Sequence, residues 1–437
     1  MFRGVFLINE HIVEEAKKGC GLYRPNYKQN IFSVIPTALS ILGAEHDRQT
    51  LLSNKRFKGC LEDACCFDVN KIVCIIADSV GVKQLPLFEK TNRAWNLLGK
   101  LVLSSVFPTI TSSAIVSIHS GLPPERHGIV GHKVWFQQLG TVVDTLKMAS
   151  VKALSTDKLV RSGVDVRVLL LESDVYHNLK DTSIAHFELM PSSIAKTGLS
   201  HVLGVEAVTV GFESVVDAFS TLRSILNKYA GRKVLVNVYF DLMDIVSHKY
   251  GPLSEEYRLA AHHIEEVFLH FLKHLNDDKV AFMFFSDHGQ EEVFEEKTVK
   301  ISEEEAESVS HYLKNQPGRS GRVVHFYVKE GNEDEVRRWV EEKVEENGLL
   351  MDFDEACKFF SLKPKGKFRG EIKSRIGDLL LVMNAGAELK FQRKEEKEKL
   401  VEEEWKGSHG SMTLNEVLVP FVAAGSEILK KLLELSK

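Results

Sequence analysis

The chain has 437 residues, 44% of them hydrophobic and 27% charged, with a net charge of -5 and a pI near 6.4. That is enough apolar material for a sizeable core, in one large domain with insertions or in two, and it excludes global disorder. The mildly acidic balance lacks the basic footprint of a nucleic-acid binder, and no run approaches the roughly 20 apolar residues of a membrane span.

At the N-terminus the apolar stretch Val5 to Ile8 is too short for a signal segment and is soon followed by Glu10, so a cytoplasmic location is expected. Cys20, Cys60, Cys65, Cys66, Cys74 and Cys357 form no CxxC pair and read as free thiols rather than a zinc site. Arg24 to Tyr27 breaks the chain, and residues 35–42 (IPTALSIL) predict a short helix. We read residues 1–70 as an N-terminal extension packed on a main domain, 71–437.

Residues 72–77 (IVCIIA) form a continuous, mostly β-branched apolar run, the pattern of a strand buried on both faces. It stops at Asp78. Helical periodicity over 85–101 follows, with Leu87, Trp95 and Leu98 toward the core. The segment 141–231 mixes strands and helices, including the apolar run 166–171 and a helix over 214–229. The run 233–240 (KVLVNVYF) leads to Asp241 and Asp244, and 279–285 (KVAFMFF) leads to Ser286-Asp287-His288-Gly289. Between them Ser254 is an N-cap signal for a helix to about Leu275. Further on come a strand over 322–328, a charged helix over 333–346 and a strand over 378–383. A Lys/Glu-dense helix or loop at 394–404 and a final strand at 417–423 follow.

Buried strands alternating with helices predict an α/β fold, with a mostly parallel central sheet flanked by helices. A small cap would be drawn from within 141–231 and 291–404. In such sheets chemistry sits beyond the carboxyl ends of the strands. Asp is a common turn residue, so one carboxylate there says little. Three strands ending in carboxylates, two of them with a nearby His, point to a site.

Asp244 and His248, four residues apart, share one face of a helical turn and can share a metal. Alone, the pair reads as two polar residues on an exposed helix face. Asp287 and His288 converge in the turn after their strand, where Gly289 permits an unusual backbone angle. His409, in the sequence GSHGS, reads alone as an exposed loop residue. Thr111 or Ser112 opens a short helix ending at Gly121. A hydroxyl there faces the N–H groups and dipole that favour phosphate, though its ordinary role is an N-cap. Together Asp78, Thr111, Asp244, His248, Asp287, His288 and His409 suit two Zn²⁺ ions, with Mn²⁺ as an alternative. Ions roughly 3.5–4 Å apart clamp both oxygens of an in-line displacement.

The ordered blocks IIADSV, FPTITSSAIVSIHSGLPPERHGIVGH, YFDLMDIVSHKYGP, FFSDHGQ, RIGDLLLV and GSHGSMTLNEVLVP resemble the type I phosphodiesterase/nucleotide pyrophosphatase branch of the alkaline phosphatase superfamily, from about Lys71 to Gly425. The resemblance implies an alkaline phosphatase-like fold. It also implies one zinc on Asp244, His248 and His409, and a second on Asp78, Asp287 and His288. Thr111 would attack phosphorus from the second ion and pass through a phosphothreonine, cleaving phosphodiesters or nucleotide pyrophosphates. Two positions depart from the pattern. His132 stands where many relatives carry an Asn that binds phosphoryl oxygens, a contact His132 would have to supply as catalytic and substrate-binding residue. Ser112 stands where nucleotide-cleaving members carry Phe. Tyr239 falls where those enzymes place an aromatic near the substrate, and reads equally as a core strand residue.

The expected partner is a small phosphate ester, with no nucleic acid and no membrane. Phosphomonoesterase or phosphonate hydrolase activity would use the same site. Sulfatase chemistry is disfavoured because those enzymes modify a Cys or Ser where Thr111 stands. A catalytically silent binding protein would be expected to have lost ligands. A phosphosugar mutase would need a large insert that the sequence does not show.

Overall fold

The structure is a computed structural model describing residues 13–16, 20–153, 155–172, 175–176, 183–203, 207–361, 366, 368–392 and 405–434. The expected charged helix or loop at 394–404 lies outside the described residues.

A seven-stranded central sheet runs in the order Leu101–Ser104, Leu418–Gly425, Val280–Phe285, Lys71–Ala77, Val234–Phe240, Ala185–Pro191 and Val208–Phe212. Lys71–Ala77 lies in the middle, and every one of its residues is buried, as a both-faces apolar run requires. The pairings from Val280–Phe285 to Val208–Phe212 are parallel. Leu418–Gly425 is antiparallel to both of its neighbours, so the sheet is mixed. Its reversed direction starts this strand at the edge where the parallel strands end. The loop before it therefore arrives at that edge too.

Glu89–Leu97, Val215–Lys228, Glu255–Lys273 and Ser426–Glu434 pack on the sheet and on one another. Ser214 and Ser254 cap two of these helices, accepting from the backbone N–H of Asp217 and Tyr257. The helix read over 85–101 divides instead. Its α-helical part ends at Leu97, and Gly99 and Lys100 both take positive φ. The chain thereby turns into the strand Leu101–Ser104. Trp95 stays buried and donates its indole N–H to the Leu101 carbonyl, 2.6 Å away.

The described part of residues 1–70 shares the central core. Ile31, Ile35, Leu39, Phe57 and Leu61 join the same apolar cluster as Ile72, Val236 and Phe285. Val34–Ile41 packs against Thr111–Ser120.

A second, wholly antiparallel sheet has seven strands, in the order Gly348–Asp352, Leu379–Met383, Val323–Phe326, Gly318–Ser320, Lys133–Phe136, Thr141–Asp144 and Ala149–Ser150. Alternate residues feed two cores. Val323, Leu380 and Val382 pack with Phe353 and Phe360, while Val324, Leu379 and Leu381 pack with Val336 and Val340. Of the segment 141–231, the part from Ala185 to Lys228 belongs to the central sheet and its helical cover.

Candidate active site

Parallel register places the carboxylates. Ala77 lies opposite Phe240, and Ile76 lies opposite Phe285, so the three central strands end level with one another. Asp78, Asp244 and Asp287 leave the sheet at the same edge. Asp244 and His248 sit on the helix Leu242–Tyr250, where four-residue spacing brings His248 Nε2 to 3.2 Å from Asp244 Oδ1. His409, on the loop before Leu418–Gly425, brings its Nε2 to 3.5 Å from the same oxygen. In the other group His288 Nε2 lies 3.5 Å from Asp78 Oδ1 and 3.2 Å from Asp287 Oδ2. One ligand atom from each residue of Asp244, His248 and His409 lies within 4.8 Å of the others, and the same holds for Asp78, Asp287 and His288. The rings of His288 and His409 stack at 4.0 Å, so the two groups are neighbours.

All three imidazoles are oriented from behind. Nδ1 of His248 faces the Gly407 carbonyl at 2.7 Å, Nδ1 of His288 the Gly289 carbonyl at 3.0 Å, and Nδ1 of His409 the Thr109 carbonyl at 2.9 Å. A carbonyl only accepts, so Nδ1 carries a proton in each ring and Nε2 is the atom turned toward the carboxylates. Asp287 Oδ2 is buried with no hydrogen bond among the described residues. Two buried carboxylates and the half-buried Asp244, with three imidazole Nε2 atoms, make a donor set that fits a pair of divalent cations.

The electrostatics express the crowding. Burial, with the Asp287 and Asp244 carboxylates, holds Asp78 well above the usual carboxylate range. Burial also raises Asp287 against the pull of His288. Burial works to raise Asp244 as well, but His248, His409 and His288 outweigh it and hold it low. Burial and the neighbouring His288 hold His409 well below its ordinary value.

Thr111 is the first residue of the helix Thr111–Ser120. The N-cap is Ile110, whose side chain cannot cap, so Thr111 is not the N-cap that local sequence suggests. Its hydroxyl points instead into the second group, 3.2 Å from His288 Nε2 and 3.5 Å from Asp78 Oδ2. Ser112 and Ser113 are fully buried behind it. Tyr239, half-buried on Val234–Phe240, donates its phenol to Asp78 Oδ2. It is thus joined to a ligand carboxylate rather than only filling the core. Burial and the Asp78 carboxylate push that phenol far above its usual value.

His132 is placed differently from the six ligands. Its Nε2 lies 3.3 Å from Asp144 Oδ1, and its backbone N–H donates to Ser320 Oγ at 2.9 Å. The ring is held on the second sheet by Asp144.

Several contributors were not read from the sequence. Ser79, at φ 61°, donates its hydroxyl to Asp244 Oδ1 at 2.7 Å and lies 3.3 Å from Asp78 Oδ1, joining the two groups. Its position directly after a ligand was the only available signal. Arg322 donates its backbone N–H to the His409 carbonyl, and its buried guanidinium pairs with Glu416 at 2.8 Å. Trp405 packs its ring against His248, with centroids 4.1 Å apart.

The sequence matches the family model described as type I phosphodiesterase/nucleotide pyrophosphatase over residues 96–412, most of the chain. The chain belongs to this family. Membership places it among phosphoester hydrolases. Thr111, Asp244, His248, Asp287, His288 and His409 fall inside the matched range, and Asp78 lies before it. A search of curated proteins gives no match.

Among solved structures, murine ectonucleotide pyrophosphatase/phosphodiesterase 5 is similar at TM-score 0.59 and 15% identity, covering 83% of this chain and 94% of that one. Phosphonoacetate hydrolase from Sinorhizobium meliloti 1021, in complex with phosphonoformate, is similar at TM-score 0.58 and 16% identity, covering 85% and 97%. At these identities the likeness is one of fold, an α/β architecture with a mixed central sheet flanked by helices.

Proposed function

We propose that this protein hydrolyses small phosphodiesters or nucleotide pyrophosphates, with Thr111 as nucleophile and two divalent cations, most suitably Zn²⁺, as cofactors. The observation that carries this reading is the Thr111 hydroxyl, set at a helix N-terminus and directed at Asp78 and His288. Asp244, His248 and His409 would hold one cation, and Asp78, Asp287 and His288 the other. When bound, the pair supplies charge neutralisation for the attacking and leaving oxygens and lowers the cost of deprotonating a hydroxyl.

The residues of the chain do the rest. The carbonyls of Gly407, Gly289 and Thr109 fix the imidazoles, and Tyr239 fixes Asp78. The helix holds Thr111 with its proton directed at Asp78 Oδ2. The Thr111 Oγ–P bond forms as the ester P–O bond opposite it breaks, the Thr111 proton being given up to solvent and the leaving oxygen taking one from it. Water then attacks phosphorus, and the phosphothreonine returns to Thr111 with release of the remaining phosphate ester. Helix N–H groups at the start of Thr111–Ser120 face the non-bridging oxygens. The second sheet, reaching the His409 carbonyl through the Arg322 backbone N–H, would form part of the pocket wall, and a free-thiol complement fits a reducing, cytoplasmic setting.

A phosphonate hydrolase reading uses the same ligands and is the alternative favoured by the fold likeness. Thr111→Ala is the direct test of the nucleophile. Hydrolysis of bis-p-nitrophenyl phosphate by the zinc-loaded protein should fall about 10³-fold or more, with zinc content kept. Near-wild-type turnover would remove Thr111 from the reaction. A parallel panel of mono- and diesters and phosphonates decides between the two substrate classes.

A further inference from the structure

Trp405 is an indole in an unusual place. It is 50% exposed, yet it lies against His248, with ring centroids 4.1 Å apart and planes tilted by 39°. The residue after it is held by two backbone hydrogen bonds. Lys406 donates its N–H to the His248 carbonyl at 2.8 Å, and the Lys406 carbonyl accepts from Val293 at 3.0 Å. Gly407 and Ser408 then pair antiparallel with Glu292 and Glu291. Ile245, 55% exposed, lies one helical turn before His248 on Leu242–Tyr250. Apolar surface is therefore presented to solvent beside the group Asp244, His248 and His409. Thr111 touches the other group. In-line displacement puts the leaving group on the far side of phosphorus from the nucleophile, toward the group that Trp405 covers.

We infer that Trp405 is a specificity-determining platform, whose half-exposed indole carries a flat aromatic ring in the leaving group of the ester. This rests on the phosphoester reading and narrows its substrate class to esters with an aryl or nucleobase-bearing leaving side. Stacking on an indole rewards a planar π-face and is indifferent to an alkyl chain of equal polarity. Closing His248 off from solvent needs only apolar bulk, which leucine also supplies.

The test compares wild type, Trp405→Leu and Trp405→Phe, each loaded with zinc and checked for equal zinc content. Diphenyl phosphate and di-n-butyl phosphate compete against bis-p-nitrophenyl phosphate, and calorimetric titration measures the binding of each directly. Trp405→Leu should weaken diphenyl phosphate about tenfold, leave di-n-butyl phosphate within about twofold, and Trp405→Phe should restore most of the aryl affinity. Equal weakening of both inhibitors, or no weakening of either, overturns the platform. If wild type hydrolyses no phosphoester, the functional reading fails, while the titrations still report whether the indole selects aryl phosphates.

Discussion

Tyr239 shows how one atom links fold to site. Its backbone is an interior residue of a central strand, but its phenol reaches Asp78 Oδ2. Partners that orient a ligand carboxylate typically contribute about 10–100-fold in metal affinity or activity. Tyr239→Phe should therefore weaken zinc retention at the Asp78 group by that order in a chelator-competition titration, with the far-UV spectrum unchanged. Unaltered zinc affinity would make Tyr239 a packing residue only. Glu125 gives the opposite lesson, a carboxyl without adequate compensation. It is buried, and its Oε2 has no hydrogen bond among the described residues. Burial pushes its pKa from 4.5 to about 8, with its own backbone N–H and Arg126 opposing. Between those values the folded chain keeps a proton that the unfolded chain has lost, so stability falls as pH rises through the window and levels off above it. Glu125→Gln should leave urea stability little changed near pH 4.5 and raise it by on the order of 2–4 kcal/mol at pH 8.5. Equal gains at both pH values would refute burial of the charge as the cause.

At the scale of elements, legibility followed sequence locality. The strands Lys71–Ala77, Val234–Phe240 and Val280–Phe285 are apolar on both faces, and the helix Glu255–Lys273 carries its own N-cap, so each was readable from one window. The strand Leu101–Ser104 was absorbed into a helical pattern, although Gly99 at positive φ is a helix-stop residue; only Lys100, also at positive φ, carries no residue signature of the turn. The second sheet pairs Arg319 with Lys133 across a long stretch of chain, and its four-residue strands carry little periodicity. The six side chains stood out as candidates by residue type, each weak alone and His409 weakest, and their division into two groups came from the family resemblance, whereas their orienting groups are mostly backbone carbonyls, which a sequence does not mark. The His409 loop illustrates this. It is held by Arg322, whose guanidinium pairs with Glu416 while both side chains are fully buried, and whose Nε donates to the Ala387 carbonyl at 2.9 Å. Glu416 in turn accepts from Ser411 and Thr413. Breaking a buried pair by removing one partner costs about 3–5 kcal/mol. Arg322→Met should lose that much in urea unfolding, and the Arg322→Met/Glu416→Leu double variant should recover part of it. Zinc affinity at the Asp244 group should fall in the single variant, because the Arg322–Glu416 pair braces the loop that carries His409. Loss of stability with unchanged zinc affinity would separate the pair from the site.

For the whole molecule, the site is a concentration of negative charge at the level edge of the sheet that forms its core. Asp78, Asp244 and Asp287 are brought there by register, and Ser79 ties two of them together. Burial of like charges opposes folding, and a bound cation pair would reverse that sign. The two effects predict a crossover. In excess chelator, Asp78→Asn removes one of the repelling carboxylates at nearly constant volume and should melt above wild type. In saturating zinc, the same variant forfeits a ligand and should melt below wild type, because only wild type gains the full binding free energy, about 4 kcal/mol at a thousandfold excess over Kd. Differential scanning calorimetry of the two proteins in the two conditions reads the inversion directly. If Asp78→Asn melts lower in both, the carboxylates do not repel in the metal-free fold. If it melts higher in both, Asp78 holds no cation, and the second group is a buried polar cluster rather than half of a metal centre.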